Sequence, residues 1–377
     1  MKNAINTLEK EILSLNKCIV FNNAKLNTIV YTKQNSFYND LTKFSKVFND
    51  LFKSDNNNNN NNILECYLIE DEKMYYLITD YLINGNLITT SALDKFNNAT
   101  INTSLAKCSK DYSYYFIKCY DYFIYVFDKK KKKCYMIVKN NKKALTMINI
   151  LILTPYLLYG ELYAVHGGLV TNGNCNVLIN NSSLGGKTTF AILFASNGWK
   201  IITEETTYIT KNGEILPFNI RNYFNIRIGT YLNFLDFFVS KNIIIENFIK
   251  LKGKTSDELF NIGKEGQTSI DFDKIGAYEK LNNKYITTSL KVTIQNNQHF
   301  EILKCSPLEN VKSFLELSLA PTVLLFEELL NFDIVNKKKR ENNLKSIFKM
   351  TNSYIINSNF DYKKQFKQIE CLTKKEY

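Results

Sequence analysis

Four prolines and 14 glycines in 377 residues leave no material for a long flexible linker. None of the 8 cysteines stands in a CxxC pair or at a zinc spacing. Most lie in apolar, strand-like runs, so they read as unbridged, buried thiols of a reducing compartment. No apolar run reaches the length of about 18 residues that a membrane-spanning helix needs. The nearest, Ala144 to Leu158, is interrupted by Asn149, Thr154 and Pro155. Met1 to Lys17 contains charged residues and no small-residue cleavage site, which does not fit a secretory signal. These absences predict a soluble, cytoplasmic protein with no membrane span.

What is present suits a large folded core. A hydrophobic fraction of 45% and an aromatic fraction of 14% fit a globular chain, and the length fits one large or two medium domains. The formal charge of +12 would suit an anionic partner. The lysines are scattered and not striped with aromatics, which disfavours nucleic acid and points to a compositional habit that also overuses Asn, Ile and Tyr.

Residues 1–150 read as a strand-rich N-terminal domain and residues 151–377 as a nucleotide-binding domain. Asn56 to Asn62 is an unbroken asparagine run, expected as a mobile surface loop. "CYLIEDEKMYYLITDYLI" (Cys66 to Ile83) reads as strands around a turn at Glu70-Asp71-Glu72. Tyr114 to Asn141 reads as two strands joined by the lysine run Lys129 to Lys133, a solvated hairpin tip. Lys142 to Tyr159 reads as a helix ending near Pro155. A strand to Val170, a turn at Asn172-Gly173-Asn174 and a strand from Cys175 to Ile179 follow. "KTTFAILFASNG" is a short amphipathic helix closed by Asn197 and Gly198. "WKIIT" is a strand with Glu204 and Glu205 at its end, and "TYITKNGEILPF" is a hairpin around Asn212-Gly213.

Between the Cys175–Ile179 strand and that helix lies "INNSSLGGKTTF". Its end fits the phosphate-loop pattern G-x-x-x-x-G-K-[ST], with Gly186, Lys187 and Thr188 in the last three places. Asn181 stands where the first glycine belongs. Asparagine is among the few other residues that tolerate a left-handed backbone. Asn181, Ser182, Ser183, Leu184, Gly185, Gly186, Lys187, Thr188 and Thr189 are therefore the candidate phosphate cradle. Backbone N–H groups, a helix N-terminus and one lysine bind a triphosphate, and the Thr188 hydroxyl would face Mg²⁺. A carboxylate is also needed near the metal. Glu204 should reach the same sheet edge, with Thr188 as the second metal contact, while Glu205 is free for another role. The competing account is a plain strand–loop–helix turn with a surface lysine and two exposed acids. His166 and His299 are the only histidines. A lone histidine in a strand is more often structural, and His299 in "NNQHFEI" reads that way.

Taken together, His166 to Ile209 resembles the catalytic core of the HPr serine kinase family. It looks closer still to HPr-kinase-like enzymes of peptide-modification clusters, such as lasso-peptide precursor kinases. That core is similar to the one in phosphoenolpyruvate carboxykinases. A His-Gly strand, a phosphate loop, a helix closed by glycine plus Trp, and a strand ending in two acids occur here in the family's order. His166 precedes Lys187 by 21 residues and Glu204 follows it by 17, both as in the family. The resemblance implies an α/β, P-loop-containing HPr kinase/PEP carboxykinase-like core. It implies ATP and Mg²⁺ as cofactors and a protein or peptide phosphoacceptor. Lys187 and Thr188 would contact phosphate and metal, and Glu204 or Glu205 would deprotonate the acceptor hydroxyl. His166 would lie near the transferring phosphate, and Arg221, ahead of Arg227, would touch phosphate. "SYIINSNFDYKKQFKQIE" resembles the family's closing strand and helix. The chain departs from the pattern at Asn181, at Leu184 and in carrying glutamates for aspartates. A base misplaced by about 1 Å can lose about 10²-fold in rate.

The expectation is a Mg·ATP-dependent serine/threonine phosphotransferase, with peptide tailoring suggested by analogy. Two rivals stand beside it. One is a non-catalytic nucleotide-binding partner of the same fold; the other is a structural protein whose basic surface binds an acidic partner or nucleic acid. The sequence leaves homo-oligomerisation and the acceptor's identity open.

Overall fold

The computed structural model describes residues 2–22, 26–33, 37–52, 63–90, 105–139, 143–158, 160–181, 186–221, 223–254, 258–259, 262, 266–276, 281–294, 299–306, 337–359 and 361–373. The asparagine run and four cradle candidates, Ser182, Ser183, Leu184 and Gly185, lie outside them. The chain is mixed α/β and divides into two compact units, one running to Leu162 and the other beginning at Tyr163.

The first unit is built on an eight-stranded mixed sheet: β1 (Lys17–Phe21), β2 (Asn27–Thr32), β3 (Ile63–Glu70), β4 (Leu87–Ile88), β5 (Leu105–Ser109), β6 (Tyr114–Cys119), β7 (Phe123–Asp128) and β8 (Lys133–Val138). Their order is β1-β2-β3-β8-β7-β6-β5-β4, with β2, β3 and β8 parallel and the rest antiparallel. Among the described residues, the helices are α1 (Lys2–Ile12), α2 (Tyr38–Leu51), α3 (Glu72–Asn84) and α4 (Ala144–Leu158). Ile5 and Leu8 of α1 and Met74, Tyr75, Ile78 and Leu82 of α3 pack on Tyr67, Phe116, Val126 and Ile137 of the sheet.

Three sequence expectations change here. The segment after Asp71 is helical and not a strand. The Asp71 carboxylate caps the helix by accepting from the Met74 N–H at 2.8 Å, and Met74, Tyr75, Ile78 and Leu82 recur at helical spacing. Tyr114 to Asn141 holds three strands. A tight turn after Cys119 separates β6 from β7, with Tyr120 in a left-handed conformation (φ +57). The helix over Ala144–Leu158 continues past Pro155. α4 belongs wholly to the first unit. The Tyr156 hydroxyl lies 3.0 Å from both the Phe21 carbonyl and the Thr28 hydroxyl, and its ring sits 4.8 Å from that of Phe48.

The second unit is a seven-strand path, β13-β12-β9-β10-β16-β18-β17, with β11 also pairing β9. Its members are β9 (Leu162–Thr171), β10 (Asn176–Asn180), β11 (Lys200–Thr203), β12 (Thr206–Thr210), β13 (Ile215–Leu216), β16 (Thr288–Ile294), β17 (Glu301–Lys304) and β18 (Asn352–Ser358). A separate hairpin joins β14 (Tyr223–Arg227) to β15 (Gln267–Asp271). The helices are α5 (Lys187–Ser196), the short α6 (Ile228–Asn233), α7 (Leu235–Ser240) and α8 (Glu246–Ile249), then α9 (Lys337–Phe348) and α10 (Tyr362–Cys371). α5 is apolar nearly all round, with Phe190 to Phe194 buried, and is not amphipathic. It packs with α10 over β10, β16 and β18, where the Phe194 and Phe366 rings meet at 5.3 Å. Leu344 and Phe348 of α9 pack in a different cluster with Leu178, Ile202 and Ile209.

No two cysteines are bridged; Cys66, Cys108, Cys119 and Cys134 are buried, whereas Cys18 and Cys371 are exposed. Among the described residues, no helix is long and apolar enough to cross a membrane.

Candidate functional site

The site follows from strand direction. β10 runs antiparallel to β9, and β11 also runs antiparallel to β9. β10 and β11 therefore point the same way, and the segments leaving them emerge at one edge. β9 passes that edge at Gly167, which faces Asn180. Gly168 permits the packing: a Cβ there would lie 2.8 Å from the Glu204 carbonyl oxygen.

Lys187 opens α5, and its ammonium lies 2.9 Å from His166 Nε2 and donates to the Asn181 carbonyl at 2.9 Å. Burial lowers the Lys187 pKa, with Glu205 and Glu204 opposing. His166 is also lowered, first by burial and then by Lys187. A neutral imidazole accepting from the ammonium fits both directions.

Asn181 does not use the left-handed freedom expected of it. Among the described residues of this loop, the left-handed angle falls on Gly186 (φ +101), the residue preceding α5. The Asn181 amide instead donates to the Val292 carbonyl of β16, tying the loop to the neighbouring strand. Gly186 is constrained twice, since a Cβ would also meet Ile294 Cδ1 at 2.7 Å. The end of Ile294 can shift, so the backbone angle dominates the cost. Gly186→Ala is expected to lower stability by about 2 kcal/mol, read as a lower urea midpoint.

Thr188 and Glu204 approach each other, with Oγ1 to Oε1 at 3.5 Å. Glu204 is only 7% exposed. Its pKa is pushed up to about 7, first by burial and then by Glu205. Its Oε2 is buried without a hydrogen-bond partner and lies 3.7 Å from Arg221 Nη1. Arg221 forms an ion pair with Glu205 and lies over the Tyr223 ring at 5.6 Å. The Thr188 hydroxyl and the Glu204 Oε1 beside it are oxygen donors of the kind a hard cation such as Mg²⁺ takes, while Oε2 faces the Arg221 guanidinium. Among the described residues, no group of three or more His, Cys, Asp or Glu could hold a metal by itself.

Lys187, Thr188, His166, Glu204, Glu205 and Arg221 are thus gathered at one edge. Thr189 is turned elsewhere, its hydroxyl 2.8 Å from that of Thr230 on α6. Arg227 ends β14 and is not the arginine that meets the acids. His299 stands just before β17. Sequence reasoning missed Asn219, whose Oδ1 accepts from the Glu204 N–H at 3.2 Å and whose Nδ2 donates to the Arg221 carbonyl. It also missed a buried hydroxyl bridge behind the acids, where Thr203 and Thr207 meet at 2.7 Å. Neither has a sequence signature: Asn219 bonds main-chain groups of the Glu204 bend and of Arg221, and the Thr203–Thr207 bridge is tied to main-chain groups of β9.

No protein-family model matches the chain, and no curated protein matches it.

Proposed function

We propose that the chain is a Mg·ATP-dependent serine/threonine phosphotransferase acting on a protein or peptide, built on a phosphate-loop core similar to that of the HPr serine kinases. The observation that carries this reading is one cluster: a lysine at the start of a helix, with a buried acid and a paired acid and arginine beside it. Lys187 would exchange the Asn181 carbonyl and His166 for phosphate oxygens, whose charge would raise its depressed pKa again. Thr188 and Glu204 would hold Mg²⁺, which when bound neutralises charge on the phosphates. Glu205 would take the acceptor's hydroxyl proton as that oxygen attacks the γ-phosphorus and ADP leaves. Arg221, drawn from Glu205 to the transferring phosphate, would free the carboxylate at that moment. A cytoplasmic setting and a peptide-tailoring role belong to the same proposal.

A calorimetric titration of the chain with Mg·ATP, followed by γ-labelled ATP and a peptide library, tests it. One nucleotide site and label on serine or threonine are expected. An absence of heat at millimolar ATP would sink it. Binding without transfer would instead favour a non-catalytic nucleotide-binding protein, a reading to which the Arg221–Glu205 ion pair lends some support because it occupies the carboxylate.

A further inference from the structure

Asn219 lies between β13 and β14 and is 2% exposed. Both ends of its amide are spent on main chain, the Glu204 N–H and the Arg221 carbonyl. One planar group therefore joins the backbone that carries the buried carboxylate to the backbone that carries the guanidinium.

The local fold is already closed without this amide. The Leu169 N–H donates to Thr203 Oγ1 at 3.1 Å, and the Thr207 hydroxyl donates to the Gly167 carbonyl at 2.8 Å. The Thr207 hydroxyl proton is used in that way, so the Thr203 hydroxyl donates to Thr207 across their 2.7 Å contact. This chain of bonds pins β11 and β12 to β9 from behind the acids. Asn219 adds something different: it fixes the offset between Glu204 and Arg221, whose side chains lie 3.7 Å apart.

We propose that Asn219 is a positioning residue for phosphoryl transfer. It holds Arg221 and the Glu204–Glu205 turn in one frame, so that the guanidinium moves between carboxylate and phosphate by side-chain rotation alone. This rests on the phosphotransferase reading. An arginine whose backbone drifts by about 1 Å would lose much of the roughly 10²-fold that such alignment supplies. Nucleotide affinity, set mainly by Lys187 and the loop, would change little.

The test uses the full chain as wild type, Asn219→Ala and Asn219→Asp. It measures kcat, KM for Mg·ATP and hydrogen exchange at individual amides. Asn219→Ala is expected to lower kcat by roughly 30- to 100-fold with KM within about threefold. Exchange at the Glu204 amide should rise by about tenfold or more while Leu169, held by Thr203, stays protected. Asn219→Asp keeps the acceptor and loses the donor, so the Glu204 amide should remain protected while kcat still falls. The proposal is overturned if Asn219→Ala keeps kcat within about threefold. It is equally overturned if kcat, KM and Leu169 protection all fail together, which would mean general loosening. A wild type without turnover would end the phosphotransferase reading on its own terms. The exchange arm then decides whether Asn219 fixes the turn: selective acceleration at Glu204 upholds it, and no change overturns it.

Discussion

Lys187→Ala is expected to weaken Mg·ATP binding by about 100-fold or more, a loss of about 2.7 kcal/mol, and to remove transfer with it. The fold should survive, since the ammonium's bonds to His166 Nε2 and the Asn181 carbonyl lie in a half-buried setting. The chain has only two histidines, so an NMR titration of the imidazoles gives an independent reading. Burial is the first cause of the low His166 pKa and the Lys187 charge the second. Removing that charge makes the imidazolium less unfavourable, so the His166 pKa should rise in Lys187→Ala. Saturating wild type with nucleotide should move His166 in the same direction, because phosphate neutralises the lysine. Unchanged nucleotide affinity in the variant would end the phosphate-loop reading whatever the histidine does.

Glu204→Gln should stabilise the nucleotide-free protein and at the same time slow transfer. The folded carboxyl has a pKa of about 7 against an ordinary 4.5, with burial the chief cause. Below pH 4.5 it is protonated in both the folded and unfolded states. Between 4.5 and about 7 the unfolded chain releases the proton and the folded chain retains it, so stability falls as pH rises through this window. Above it the full penalty stands, about 3 kcal/mol by the linkage relation. Glutamine carries no such penalty, and Arg221 keeps its ion pair with Glu205. The variant should therefore gain up to about 3 kcal/mol at pH 8 and almost nothing at pH 4, while transfer falls by about 10²-fold or more. Denaturant midpoints at the two pH values check the first part, and label transfer at pH 8 checks the second. An acid that costs stability and is needed for turnover marks a site kept for chemistry. Equal stability changes at both pH values would show that ionisation is not the cause.

The strand–loop–helix around Lys187 was legible because its signals are local: an apolar strand, glycines, then a run ending in Asn197-Gly198. The two acids after β11 were legible for the same reason. α3 was not, because Cys66 to Ile83 is apolar enough to satisfy both a two-residue and a helical period, and only the Asp71 cap separates them. The turn between β6 and β7 was missed because Asp121 is its one turn-favouring residue, set between two tyrosines that continue the strand-like pattern. Asn181 drew attention for its backbone, yet its side chain matters through the Val292 carbonyl, 111 residues away. No local pattern reports such a partner. Asn219 went unnoticed because its amide bonds only main-chain groups, the Glu204 N–H and the Arg221 carbonyl, which leave no mark on the sequence, whereas Arg221 was preferred to Arg227 through the family resemblance.

The tie between Asn181 and β16 has a consequence for synthesis on the ribosome. When the loop and α5 first leave the exit tunnel, the strand that receives the Asn181 amide and the Ile294 side chain that packs on Gly186 have not been translated. β10 has by then only its antiparallel neighbour β9, and its parallel partner β16 is still to come. A nascent chain halted before residue 288 would thus carry every cradle residue in sequence and lack the anchors that shape the cradle. On the proposed reading, nucleotide competence would arrive as a late, long-range event, once those last strands have appeared.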